Sequence, residues 1–293
     1  LFLFSHILGR MPLNAPDQYG VFGNPIAQSK SPYIHRAFAE QTGEHISYEA
    51  ELVAPGEFAE AADRFFQAGG KGLNITAPFK GDAYAYATQL SPRARRAGAV
   101  NTLALQDDGG LLGDTTDGVG LAMDLREHLN WDLGRKQILI LGAGGAARGV
   151  LESLLALEPK SLSIANRTAS KAVSLAKGYG DLGNVVGVGL DQLDKYTEGF
   201  DLIISATSAG LSGEAVELPE NLIKRGSQAY DMIYSPVATP FMQWAEALGA
   251  ETSDGLGMLV GQAAESFRLW RGVSVDILKV IASLRAEMLN GGN

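Results

Sequence analysis

Short apolar runs bounded by glycine, proline or acidic turns recur along this chain, separated by segments of helical spacing. The strongest run is Ile138–Leu141, four apolar residues in a row. Such a run predicts a strand buried on both faces, as a parallel sheet requires. From Ala146 to Leu157 the spacing turns helical, with Ala147, Val150, Leu151, Leu154 and Leu155 along one stripe. Further strands are predicted at Ser161–Ala165, Asn184–Val188, Asp201–Ser205 and Gln228–Met232. Upstream, the pattern gives strands at Tyr19–Phe22, Ile46–Leu52 and Gly72–Ile75, with helices at 32–41, 57–67 and 82–88. Asp107–Gly110 is a hairpin turn between a strand through Leu103 and a return beginning at Leu111. A helix at 121–129 links the two halves, and long apolar helices follow Gly255 and Val275. The order predicts a two-domain α/β protein.

The 293 residues, 46% hydrophobic and 19% charged, suffice for two cores. A net charge of −9 argues against nucleic acid as a partner but leaves room for a small anionic ligand. The absence of cysteine excludes disulfides, thiolate zinc sites and cysteine nucleophiles, and is compatible with a cytoplasmic location. His6, His35, His45 and His128 lack metal-ligand spacing, so no metal is expected. No apolar run reaches the ~18 residues of a membrane span. Leu1–Leu8 is apolar without a basic flank or a small-residue cleavage site, and residues 1–18 read as an extension outside the fold.

Three glycines follow the central strand, and Gly142, Gly144 and Ala147 fit G-x-G-x-x-[GA]. In that pattern the first glycine allows a tight turn and the second lets a pyrophosphate approach the backbone. Gly142, Ala143, Gly144, Gly145 and Ala146 would then offer free N–H groups at a helix N-terminus to a dinucleotide. One strand later, where an NAD site commonly has an acid, stand Asn166, Arg167 and Thr168, with Lys171 a turn on. An acid would repel a 2′-phosphate, whereas Arg167 can grip one with a planar fork, so NADP is the expected cofactor. Thr207, at a strand end, would line the cofactor cleft.

In the first half, Ser31 before Pro32 reads equally well as a helix cap or, with Ser29, as a cradle for a small carboxylate. Thr76 and Lys80 fall just past a strand end, where α/β proteins place ligands. A lysine is ill suited to the first turn of a helix, which favours acids. Asn101 and Asp117, taken singly, read as turn formers. His35 falls within a helix and reads as structural.

Ser29-Lys30-Ser31-Pro32, Asn74-Ile75-Thr76-x-Pro78-Phe79-Lys80, Ala99-Val100-Asn101-Thr102 and Thr116-Asp117-Gly118 occur in this order. Together they closely resemble the shikimate dehydrogenase family, and the resemblance runs from residue 19 almost to the C-terminus. Thr115 and Ala77 depart from the family's usual Asn and Val, at positions that carry no catalytic side chain. The resemblance implies a substrate-binding domain, residues 19–116 completed by 255–290, and a Rossmann-type, doubly wound NADP-binding domain, residues 117–254. It implies reversible reduction of 3-dehydroshikimate to shikimate by NADPH, in aromatic amino-acid biosynthesis, by a monomer or homodimer. Lys80 and Asp117 would be catalytic. Ser29, Ser31 and Tyr234 would hold the ring carboxylate, and Thr76, Asn101, Asp117 and Gln262 the ring hydroxyls. Gly255 and Met258 would face the cofactor. A quinate/shikimate dehydrogenase that also uses NAD is one alternative, though it would favour an acid near Asn166. A non-catalytic NADP-binding regulator is another, though it would be expected to lack Lys80 or Asp117.

Overall fold

The computed structural model describes residues 15–207 and 217–290. Two six-stranded sheets organise them. The first contains β1 (Asp17–Gly23), β2 (Ile46–Leu52), β3 (Gly70–Ile75), β4 (Gln89–Leu90), β5 (Thr102–Leu105) and β6 (Leu111–Asp114). Its order is β2-β1-β3-β5-β6-β4, with β1 parallel to β2 and β3, and β5 antiparallel to β3 and β6. The second contains β7 (Gln137–Leu141), β8 (Ser161–Asn166), β9 (Val185–Gly189), β10 (Phe200–Ser205), β11 (Ile223–Asp231) and β12 (Glu251–Asp254). All its strands are parallel, in the order β12-β11-β10-β7-β8-β9. This is the doubly wound dinucleotide order, and the winding reverses between β7 and β10, where such sheets open a ligand crevice.

The apolar run in β7 is explained by its two faces. Ile138 and Ile140 pack on one side with Val150 and Leu154 of α6 (Gly145–Leu155). Leu139 and Leu141 pack on the other with Phe241 and Ala245 of α8 (Pro240–Ala247).

In the first half run α1 (Ser31–Thr42), α2 (Phe58–Gln67), α3 (Lys80–Tyr86) and α4 (Pro92–Ala97). The halves are joined by α5 (Asp117–Met123), which continues into a π-helical turn, Asp124–His128. After α7 (Ala169–Lys177) and the last strand, α9 (Leu256–Arg271) and α10 (Ile277–Asn290) return to α1. There Ile34 and Phe38 meet Val260, Phe267, Val280 and Leu284 in one fully enclosed cluster. The α5–α9 crossing is close enough to require glycine. A Cβ on Gly120 would lie 2.4 Å from the Gln262 nitrogen and 2.6 Å from the Met258 carbonyl oxygen.

Several expectations need correction. The linking helix begins at Asp117, four residues before Leu121, because its first turn is polar and carries no apolar stripe. α3 begins at Lys80 rather than Asp82, and β1 begins at Asp17, where its amide donates to the His45 carbonyl. The short α4 and the polar β12, Glu251-Thr252-Ser253-Asp254, had no apolar period to announce them. Most of the expected loop from Thr207 to Gly213, like the apolar Leu1–Leu8, lies outside the described residues.

Candidate active site

A cleft of about 640 Å³ lies between the C-terminal ends of the strands of both sheets. Its floor is an amide–carboxylate–ammonium set. Lys80 Nζ lies 2.5 Å from Asp117 Oδ2. Asp117 Oδ1 accepts from Asn101 Nδ2 at 2.8 Å. The Asn101 amide has only one workable orientation: its Oδ1 already accepts the Thr116 N–H and the Thr102 hydroxyl, each at 2.9 Å. Asp117 is the first residue of α5, where the helix dipole favours an acid. Lys80 is the first residue of α3, where the same dipole disfavours a cation. The opposite charge of Asp117 offsets that cost. Gln262, on α9, closes this corner, with its Oε1 accepting from the Thr116 hydroxyl at 3.4 Å.

Below the floor lies a buried polar hub that the sequence reading passed over. Asn74 Oδ1 accepts from the Tyr48 hydroxyl at 2.8 Å and from His35 Nε2 at 3.1 Å. Asn74 Nδ2 donates to Ser266 Oγ at 2.9 Å, and Ser266 Oγ lies 2.8 Å from Thr102 Oγ1. The signal was present: an asparagine inside an otherwise buried strand must find partners. His35 is structural as expected. It stacks on Tyr48 with ring centroids 4.2 Å apart, and burial pushes its pKa down to about 3.

Ser29, Ser31, Thr76 and Tyr234 line the same cleft. Ser31 is not the cap of α1. Lys30 holds the cap position without a side-chain bond, and Ser31 is the first helical residue, its N–H donating to Ser29 Oγ at 3.3 Å. The capping explanation is thereby removed. Burial raises the pKa of the Tyr234 phenol, which keeps it a donor.

Opposite lie Gly144, Gly145, Ala146, Thr207, Gly255 and Met258. Gly142 makes the turn with φ +110°, a conformation that favours glycine. Like the buried Ala143, it shapes the turn without lining the cleft. Gly144 caps α6 without a side-chain bond, so the first N–H groups of α6 are open to a ligand. A Cβ on Gly144 or Gly145 would meet no atom within 4 Å. Open space before a helix N-terminus, at the switch point of the sheet, fits a dinucleotide pyrophosphate. Asn166, Arg167, Thr168 and Lys171 stand outside this cleft, at the C-terminal end of β8 and the start of α7. Arg167 and Lys171 are exposed and form no ion pair with any described residue, so both cations are available to an anion.

A doubly wound sheet facing a lysine–carboxylate pair across a shared cleft belongs to a dinucleotide-dependent oxidoreductase. The comparisons narrow the class. Family models match as the shikimate dehydrogenase substrate binding domain over residues 21–103, shikimate/quinate 5-dehydrogenase over 124–229, and the shikimate 5′-dehydrogenase C-terminal domain over 255–285. A shikimate dehydrogenase (NADP⁺) of Cellvibrio japonicus is 53% identical over 273 residues, 93% of this chain and 98% of that one. Its namesake in Photobacterium profundum is 57% identical over 270 residues, 92% and 98% of the two chains. The shikimate 5-dehydrogenase of Thermus thermophilus, solved in complex with NADP(H) and shikimate, superposes with a TM-score of 0.81. It is 33% identical, and the match covers 92% of this chain and 99% of that one. The chain belongs to the shikimate dehydrogenase family.

Proposed function

We propose that this protein catalyses the reversible NADPH-dependent reduction of 3-dehydroshikimate to shikimate, in the cytoplasm, as a monomer or homodimer. Residues 19–116 with 255–290 would form the substrate domain and 117–254 the NADP domain. One observation carries it: Lys80 Nζ, held by Asp117, opens onto the cleft that also receives the glycine turn. Gly144, Gly145 and Ala146 would hold the pyrophosphate, Arg167, Thr168 and Lys171 the 2′-phosphate, and Met258 would meet the nicotinamide. The chemistry that NADPH supplies when bound is hydride delivery to the carbonyl carbon.

This chain's residues do the rest. Ser29, Ser31 and Tyr234 donate to the ring carboxylate, which fixes one end of the substrate. Thr76, Asn101, Asp117 and Gln262 bind the ring hydroxyls at the other. As negative charge grows on the carbonyl oxygen, the Lys80 ammonium stabilises it and gives up a proton. In oxidation the amine takes the hydroxyl proton back. Asp117 holds the ammonium in place, and Asn101 fixes the carboxylate in turn. Lys80→Ala is expected to cut kcat by roughly 10²–10⁴, the usual range for a general acid–base. NADP⁺ affinity should stay near that of the parent. Turnover of shikimate and quinate with NADP⁺ and NAD⁺, measured in parallel, is the assay. Wild-type kcat in Lys80→Ala would refute the assignment.

A further inference from the structure

Tyr234 forms no side-chain hydrogen bond among the described residues, yet the proposed reaction needs its hydroxyl at a fixed place. Its position comes from its neighbours. The Ile233 carbonyl accepts from the Gly255 N–H at 3.1 Å, and the Ser235 N–H donates to Asp254 Oδ2 at 2.9 Å. Asp254 is therefore the anchor on the far side of the tyrosine. Its carboxylate is buried, and a buried charge needs a counter-ion. That counter-ion is Arg285 on α10. Arg285 Nη1 donates to Asp254 Oδ2 at 2.9 Å and to the Ser235 carbonyl at 3.0 Å, while Nη2 donates to Asp254 Oδ1. Arg285 thus grips both the anchor and the loop after β11 that it anchors.

The same helix also reaches the opposite wall. Ser283 Oγ lies 2.6 Å from the Tyr33 hydroxyl on α1, and Glu287 Oε1 accepts from Lys30 Nζ at 3.0 Å. Lys30 sits between Ser29 and Ser31. α10 lines no part of the cleft, yet three side chains two residues apart tie it to both sides of the carboxylate cradle. The surface pair at Lys30 is weak by nature, whereas the pair at Asp254 is bidentate and made to a buried carboxylate by a half-buried arginine, which makes it the stronger of the two.

The geometry points to α10 as the strut that sets the spacing of the substrate cradle, with Arg285 as a positioning residue acting through Tyr234. Arg285 itself does not line the cleft. The inference rests on the proposed function, because it assumes that Tyr234 binds the substrate carboxylate.

The experiment is a double-mutant cycle on the full chain with Arg285→Leu, Tyr234→Phe and the pair. Shikimate binding is read by calorimetry without nucleotide, and KM by steady-state assay with NADP⁺. Arg285→Leu should raise the shikimate Kd and KM about tenfold, while KM for NADP⁺ changes less than about twofold. In the Tyr234→Phe background the same change should add less than about twofold, because its target is already gone. Additive effects would overturn the proposal, as would equal rises in both KM values, which mark general loosening. Should Arg285→Leu fail to fold, Arg285→Lys keeps a cation beside Asp254 and drops the fork. It should give a smaller rise with the same non-additivity, and additivity there counts equally against the strut. A wild-type protein that neither binds nor oxidises shikimate would overturn the functional reading itself. Normal turnover with additive variants would overturn the strut alone.

Discussion

Acidification should destabilise this protein through His35. The imidazole is wholly buried among Tyr48, Phe38, Phe267 and Trp270, and burial holds its pKa at about 3 against an ordinary 6.5. Nε2 is satisfied by Asn74, but Nδ1 has no partner among the described residues, so a second proton there would have no acceptor. In the unfolded chain the ring protonates as pH falls through about 6.5. In the folded chain it stays neutral down to about 3. Between those limits the unfolded state binds more protons, so stability rises with pH and is lost as pH falls. One unit is worth about 1.4 kcal/mol, and from pH 7 to pH 5 the loss comes to about 2 kcal/mol. His35→Gln keeps a donor for Asn74 and removes the titrating ring. Urea unfolding of both proteins at pH 7 and pH 5 isolates the difference, since the other titrating groups are shared. The parent should lose about 2 kcal/mol more than the variant over that interval. Equal losses would refute the reasoning and mean that protonated His35 is tolerated inside the fold.

Three further outcomes follow from the site. Ser29→Ala with Ser31→Ala should raise KM for shikimate strongly, since each hydrogen bond to a charged group is worth roughly 1.5–3 kcal/mol. Because Ser31 is not a cap, the thermal midpoint should fall by less than a lost cap implies, and an unchanged KM would dissolve the cradle. Arg167→Ala should lower the preference for NADP⁺ over NAD⁺ by about 1–3 powers of ten, as read by fluorescence titration of both. Equal losses for the two would mean that Arg167 does not select the phosphate. Asp117→Asn should lower kcat and raise KM together in steady-state assays, since it removes both the partner of Lys80 and the substrate contact proposed for Asp117. A change in KM alone would leave Lys80 able to act without it.

Wherever a strand is apolar on both faces, or a turn demands glycine, the fold was legible. β7, its glycine turn and α6 fall within a residue or two of their predicted places. Lys80 and Asp117 are 37 residues apart in the chain, and residue patterns alone left each a bland alternative as a surface lysine or a turn former. Only a known set of ordered motifs joined them. Asn74 was read only as part of a motif, and Ser266 and Arg285 not at all, because their roles depend on partners from distant elements. Ser266, for instance, meets Asn74 from 192 positions away. Helix ends were misplaced where polar side chains, rather than apolar period, set the first turn, as at Asp117.

The glycine crossing of α5 on α9 also fixes a measuring distance. Met258 and Gln262 stand four residues apart on α9, so about 6 Å of helix rise separates them. By the proposed roles, one meets the nicotinamide and the other the substrate. Under those roles the spacing between the nicotinamide contact and the substrate contact would be set by the rise of a single helix. Gly120 bears on that gauge at both marks, 2.6 Å from the Met258 carbonyl oxygen and 2.4 Å from the Gln262 nitrogen as judged from an added Cβ. A methyl group at position 120, on a residue that does not line the cleft, would displace both marks at once.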